Sequence, residues 1–198
     1  THRDIASSFT VVSAQEDPTK RKSTIAWDVL AHTGGTLVIL MGWNSLGEVV
    51  GKLIKEGMAG STPAAVIEWG TEPYQRSAIG TLDTIIQHSN NEGLGPPSVV
   101  IIGAVVNLRQ EIQWFDNRPL FGKRILVTRS RHQASTLCQL LVDEGACTLE
   151  IPAIEIAPLE DYSDLDKSIL NVYSYHWVIF TSVNGVEAFF QRLATLGM

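Results

Sequence analysis

Short apolar runs bounded by glycine, proline and polar clusters alternate along this chain with stretches of helical period. That alternation predicts α/β architecture. Strands are expected over 9–14, 37–41, 64–69, 75–79 and 99–102. Helices are expected over 25–31, 45–56 and 82–88. The clearest is 45–56, where Leu46, Val49, Val50, Leu53 and Ile54 fall at i, i+3, i+4, i+7 and i+8 and share one face. Asn44 or Ser45 can cap its start and Gly57 its end. Residues 90–97 read as a Gly/Pro loop.

The pattern restarts after Trp114. Residues 116–122, Asp-Asn-Arg-Pro-Leu-Phe-Gly, favour a turn and remove one backbone donor, so a linker is expected there. Beyond it, strands are expected over 124–128, 149–151 and 177–182, and helices over 134–144, 164–172 and 184–196. The chain thus divides into 1–115 and 123–198, with no internal repeat.

Composition narrows the field. The 198 residues carry a net charge of −6 and a pI near 5.3. A general nucleic-acid surface needs a basic excess, and the basic runs here (Lys20 to Lys22, Lys123-Arg124, Arg129 with Arg131) are local. No apolar run approaches the roughly 18 residues of a membrane span, and no signal-peptide pattern opens the chain, so a cytoplasmic location is expected. Cys138 and Cys147 give no disulfide framework, and Cys138 reads as a small core residue. His2, His32, His88, His132 and His176 do not fall at metal-ligand spacing, so no metal is expected.

Specific strings add more. Residues 62–76 read TPAAVIEWGTEPYQR, followed by Gly80-Thr81-Leu82. Residues 1–12 read THRDIASSFTVV, 36–42 TLVILMG and 96–108 PPSVVIIGAVVNL. In this order they resemble the tetrapyrrole methylase family, specifically the S-adenosylmethionine-dependent uroporphyrinogen-III C-methyltransferases. The resemblance covers 1–115. The strings KRILVTR at 123–129, PAIEI at 152–156 and WVIFTSVNGV at 177–186 resemble the first half of uroporphyrinogen-III synthase. The fold these resemblances imply is a tetrapyrrole-methylase C-terminal α/β domain followed by a partial flavodoxin-like α/β unit of uroporphyrinogen-III synthase.

The implied function is a piece of a bifunctional enzyme. One half methylates uroporphyrinogen III at C2 and C7, giving precorrin-2 and S-adenosylhomocysteine. The other cyclises hydroxymethylbilane with inversion of ring D. A homodimer through the methyltransferase part and a small-molecule tetrapyrrole substrate are expected, with neither nucleic acid nor membrane as partner. By the same resemblance Met41, Gly42, Gly103 and Ala104 are cofactor residues, with Met41 and Gly103 together at the C-terminal ends of their strands. Met41 would give the adenine a soft apolar surface; the alternative is a core methionine closing a strand. For Gly103 the alternative is a turn glycine. The substrate's eight carboxylates call for cations, and His2, Arg3 and Arg76 are the candidates; a local ion pair is the alternative for Arg76. Thr181, Ser182 and Asn184 form a polar turn suited to an acetate or propionate side chain, or to simple helix capping. The family's Gly-Gly-Asp cofactor motif, its Gly/Pro-rich loop and its proposed acid and base have no match here. The piece alone is therefore expected to be inactive, and the rival reading is a non-catalytic α/β ligand-binding or assembly module.

Overall fold

A computed structural model describes residues 2–15, 24–129 and 131–198. Thr1 and the basic run Lys20 to Lys22 lie outside the described residues. Two compact units form, one from residues 1–126 with 136–149, the other from 127–135 with 150–198.

The first unit is built on a five-stranded mixed sheet. Its strands are β1 (Phe9–Ser13), β2 (Thr36–Leu40), β3 (Pro63–Glu68), β4 (Arg76–Thr81) and β5 (Ser98–Ile102), in the order β1-β2-β5-β3-β4. Among paired neighbours only β1 and β2 run parallel; β5 is antiparallel to both β2 and β3, and β4 to β3. The period-2 alternation sorts side chains to two faces. One face carries Leu37, Ile39, Ala64, Val66, Ala78, Val100 and Ile102 into the core. Helices α1 (Trp27–His32), α2 (Leu46–Lys55) and α3 (Ile85–Asn91) cover it. The other face carries Val38, Leu40, Ala65, Ile67, Val99 and Ile101, by the pairing register. Part of it lies beneath a 3-10 turn (Ala104–Leu108) and α4 (Arg109–Ile112).

Helix α2 shows how the sequence acts locally. Val49 and Leu53 are fully buried, as the periodicity requires. Gly57 ends it with φ +104, and the Met58 N–H closes back on the Leu53 carbonyl at 2.9 Å, the closure a left-handed glycine permits. Ser45 occupies the N-cap position but makes no side-chain cap bond. Its φ of −112 and ψ of 13 are not the extended values that aim a cap oxygen at the next N–H groups. Helix α3 begins later than the periodicity suggests, because the Thr84 hydroxyl first accepts the Thr81 N–H at 3.0 Å in a turn. It then runs to Asn91, into the expected loop. The helical stretch 104–112 has no counterpart among the expected elements.

Residues 116–122 differ from a free linker. The Leu120 N–H donates to the Glu144 carbonyl at 2.9 Å, and Arg118 stacks on the Trp114 and Phe115 rings. The division into compact units instead runs through β6 (Arg124–Val127), α5 (Arg131–Asp143) and β7 (Cys147–Glu150).

In the second unit the Ile151 N–H meets the Val127 carbonyl at 2.9 Å. Helices α6 (Ser163–Leu170) and α7 (Val183–Thr195) follow. The expected strand over 177–182 is not formed. A strand exists only as part of a ladder, and among the described residues no segment pairs with this one. Trp177 and Ile179 are accordingly more than four-fifths exposed.

Candidate functional site

Strand polarity decides which residues can act together. Because β5 runs antiparallel between β2 and β3, those two strands point the same way and end at the same edge of the sheet. Met41 and Gly42 follow β2; Trp69, Gly70 and Thr71 follow β3. Three non-glycine residues here take left-handed backbone: Met41 (φ 53), Trp69 (φ 50) and Thr71 (φ 70). They are the only such residues among those described, and strain of this kind gathers where a backbone must be presented in a set way. Met41 and Trp69 are exposed, and Trp69 meets Tyr74 edge-on at 5.4 Å. The edge is thus apolar, solvent-facing and framed by strained turns.

A buried polar clamp stands behind it. Glu68, the last residue of β3, has a side chain only 7% exposed. It accepts from Arg76 Nε at 2.7 Å and from the Gly95 N–H at 2.8 Å. Arg76 also donates to the Glu92 and Gly93 carbonyls at 3.1 and 3.0 Å. The guanidinium thereby ties the β3–β4 turn to the α3–β5 loop. This is the local ion pair named as the alternative for Arg76, whose side chain stays half-exposed.

The expected pairing of Met41 with Gly103 is overturned. Register places Ile102 opposite Leu37 and Val99 opposite Leu40. Gly103 and Ala104 therefore lie at the other edge, roughly 15 Å from Met41 along the strand. The two strings, each an apolar run ending in glycine, suggest parallel strands, but an apolar run carries no mark of its direction. At the far edge Gly103, with φ +132, packs so that a Cβ would lie 2.9 Å from the Gly35 carbonyl oxygen. Its N–H donates to Pro63 at 2.8 Å. Close backbone packing accounts for this glycine. A cavity of about 290 Å³ opens beside it, lined by Gly34, Gly35, Gly57, Met58 and Ala104 among others. His2 and Arg3 are exposed, in a turn closed by the Ala6 N–H on the His2 carbonyl at 2.8 Å. That turn leads into the start of β1, which pairs with the start of β2 at this same far edge. The sequence-derived set is thus split between two edges. The Trp69 to Thr71 turn joins Met41 instead, and its signal was the Gly-Thr following a buried strand.

In the second unit Thr181 and Ser182 are exposed and Asn184 is half-buried. Ser182 caps α7, its hydroxyl accepting the Gly185 N–H at 3.1 Å. Arg192 of α7 grips Asp166 of α6 through two bonds of 2.6 and 2.7 Å, and this contact holds the Asp166 carboxyl below its ordinary range. Asp161 is also held low, by the Ser163 backbone N–H and hydroxyl.

Comparison with known proteins bears on both units. Residues 1–86 match the model of tetrapyrrole (corrin/porphyrin) methylases, and residues 118–197 that of uroporphyrinogen-III synthase. The chain carries a tetrapyrrole methylase segment followed by a uroporphyrinogen-III synthase segment. The porphyrin biosynthesis protein HemD of Ruminiclostridium josui is 35% identical over 198 residues, 100% of this chain and 39% of that protein. A uroporphyrinogen-III C-methyltransferase of Bacillus subtilis is 34% identical over 98% of this chain and 40% of its own length. An S-adenosyl-L-methionine-dependent uroporphyrinogen III methyltransferase of Methanosarcina barkeri is 44% identical over 54% of this chain and 42% of its own. The chain therefore spans about two-fifths of these relatives. A solved uroporphyrin-III C-methyl transferase from Thermus thermophilus, complexed with S-adenyl homocysteine, overlaps 55% of this chain and 47% of its own at 26% identity, with a TM-score of 0.45. The residues matched to the methylase model hold Met41, Gly42 and the Trp69 to Thr71 turn, Gly103 and Ala104 lie beyond that match, and the synthase match holds the Ser182 turn. No helix of the described residues is long and apolar enough to cross a membrane.

Proposed function

We propose that this chain is part of a bifunctional, cytoplasmic tetrapyrrole-biosynthesis enzyme. Its first part, residues 1–115, serves S-adenosylmethionine-dependent methylation of uroporphyrinogen III at C2 and C7, giving precorrin-2. Residues 123–198 serve cyclisation of hydroxymethylbilane. The observation that carries this reading is a single relative aligning with all 198 residues, across both segments. In the methylase segment the cofactor edge is the one bearing Met41, Gly42 and the Trp69 to Thr71 turn. Its residues suit the group: a polarizable thioether and an indole give apolar surface to an adenine ring. S-adenosylmethionine, when bound, supplies an electrophilic methyl group; this edge positions and shields the adenosine. The polar turn at Thr181 to Asn184 remains the proposed carboxylate contact of the synthase segment. The methylase segment also provides the proposed homodimer contact.

Titration of the labelled chain with S-adenosylhomocysteine tests the edge. Resonances of Met41 and Thr71 should shift while those of Gly103 and Ala104 stay in place; the reverse pattern would move the site to the other edge. Turnover is a separate matter. Positioning needs contacts on both sides of a ligand, and the chain alone should not methylate uroporphyrinogen III. Turnover by the purified 198 residues would show that they contain the whole catalytic machinery.

A further inference from the structure

We propose that Gln75 is a positioning residue that fixes the turn after β3 and makes its shape depend on Asp116. The inference rests on the reading of the Met41 and Thr71 edge as the ligand-facing one.

Thr71 is a β-branched residue in left-handed backbone, a strained conformation that must be held from outside. The holder is visible. The Thr71 N–H donates to Gln75 Oε1 at 2.8 Å. At the other end of the same amide, Nε2 donates to Asp116 Oδ1 at 2.7 Å. The second Asp116 oxygen receives Arg109. The amide's orientation follows from the chemistry of its partners. Reversed, it would set N–H against N–H at Thr71 and oxygen against carboxylate at Asp116. A single side chain thus links the turn to a residue 41 positions away. Beneath the link lies a cavity of about 310 Å³, walled by Gln75, Arg109, Asp116, Ile67 and Phe115 among others. The relay therefore has room to rearrange on that side and is held by its polar contacts. Displacing Asp116 frees Gln75, and the Thr71 N–H then turns to water.

Amide hydrogen exchange on the 198-residue chain tests this. Asp116→Ala should speed exchange at the Thr71 N–H by about tenfold, the equivalent of one hydrogen bond removed, while Val66 and Val100 in the sheet stay as protected as before. Asp116→Asn keeps an oxygen for Gln75 and should restore most of the protection. Gln75→Leu should match Asp116→Ala. Unchanged exchange at Thr71 in Asp116→Ala would overturn the proposal. So would an equal loss at Thr71, Val66 and Val100, which would mark a general loss of stability. S-adenosylhomocysteine titration of the same variants should show weaker binding in Asp116→Ala and recovery in Asp116→Asn. If exchange behaves as stated but the ligand shifts neither Met41 nor Thr71, the relay stands and the cofactor reading alone falls.

Discussion

Gly103 shows how one residue can fit a family motif while answering to local packing. Its φ of +132 and the Gly35 carbonyl 2.9 Å from any added Cβ leave no room for a side chain. A ligand-contacting glycine at this position predicts that Gly103→Val spares folding and weakens binding. The structure reverses that expectation: the substitution should cost about 2 kcal/mol or more of stability through backbone strain and the clash. Chemical denaturation measures this, and an unchanged midpoint would mean that the backbone relaxes around the valine. Leu53 gives the opposite lesson, since its burial is legible from period alone. Leu53→Ala should cost about 2–5 kcal/mol, read by the same experiment. Core positions announce themselves through spacing. A glycine's reason is hidden, because its neighbour in space, Gly35, is far from it in sequence.

Element by element, strands in the first unit fall within a few residues of their expected places because each has a partner. The run 177–182 has a similar apolar composition and stays unpaired, since ladder formation depends on another segment. The helices of the second unit rest on charge as well as apolar contact. The Asp166 carboxyl, lowered chiefly by its hydrogen bonds from Arg192, binds a proton less readily folded than unfolded. Its stabilising contribution is complete above the unfolded value near 3.8 and disappears as pH falls through the lower folded value. Acid unfolding followed by helix signal should therefore show a shallower pH dependence below about pH 5 in Asp166→Asn than in the parent chain. Identical profiles would mean that this pair adds nothing measurable.

For the molecule as a whole, sequence discloses the two segments and their order, while the compact units divide at other residues. Residues 116–122 look like a linker by composition, yet Asp116 and Leu120 are bonded into the first unit. A chain ending at 122 should accordingly be more stable than one ending at 115, by about 1–3 kcal/mol for the hydrogen bonds that Asp116 supplies; equal stability in urea would restore the simple linker. Strand direction is the other hidden quantity, and it sets a scale for recognition. Two sheet spacings, about 10 Å, separate the ends of β2 and β3. The floor of that gap is Pro96 and Pro97, the latter accepting the Trp69 N–H at 3.1 Å. Neither proline has an N–H of its own. A guest lying across the gap finds a floor without main-chain donors, so its acceptors must be met from the two rims, and a molecule too short to reach both has only one rim to hold it.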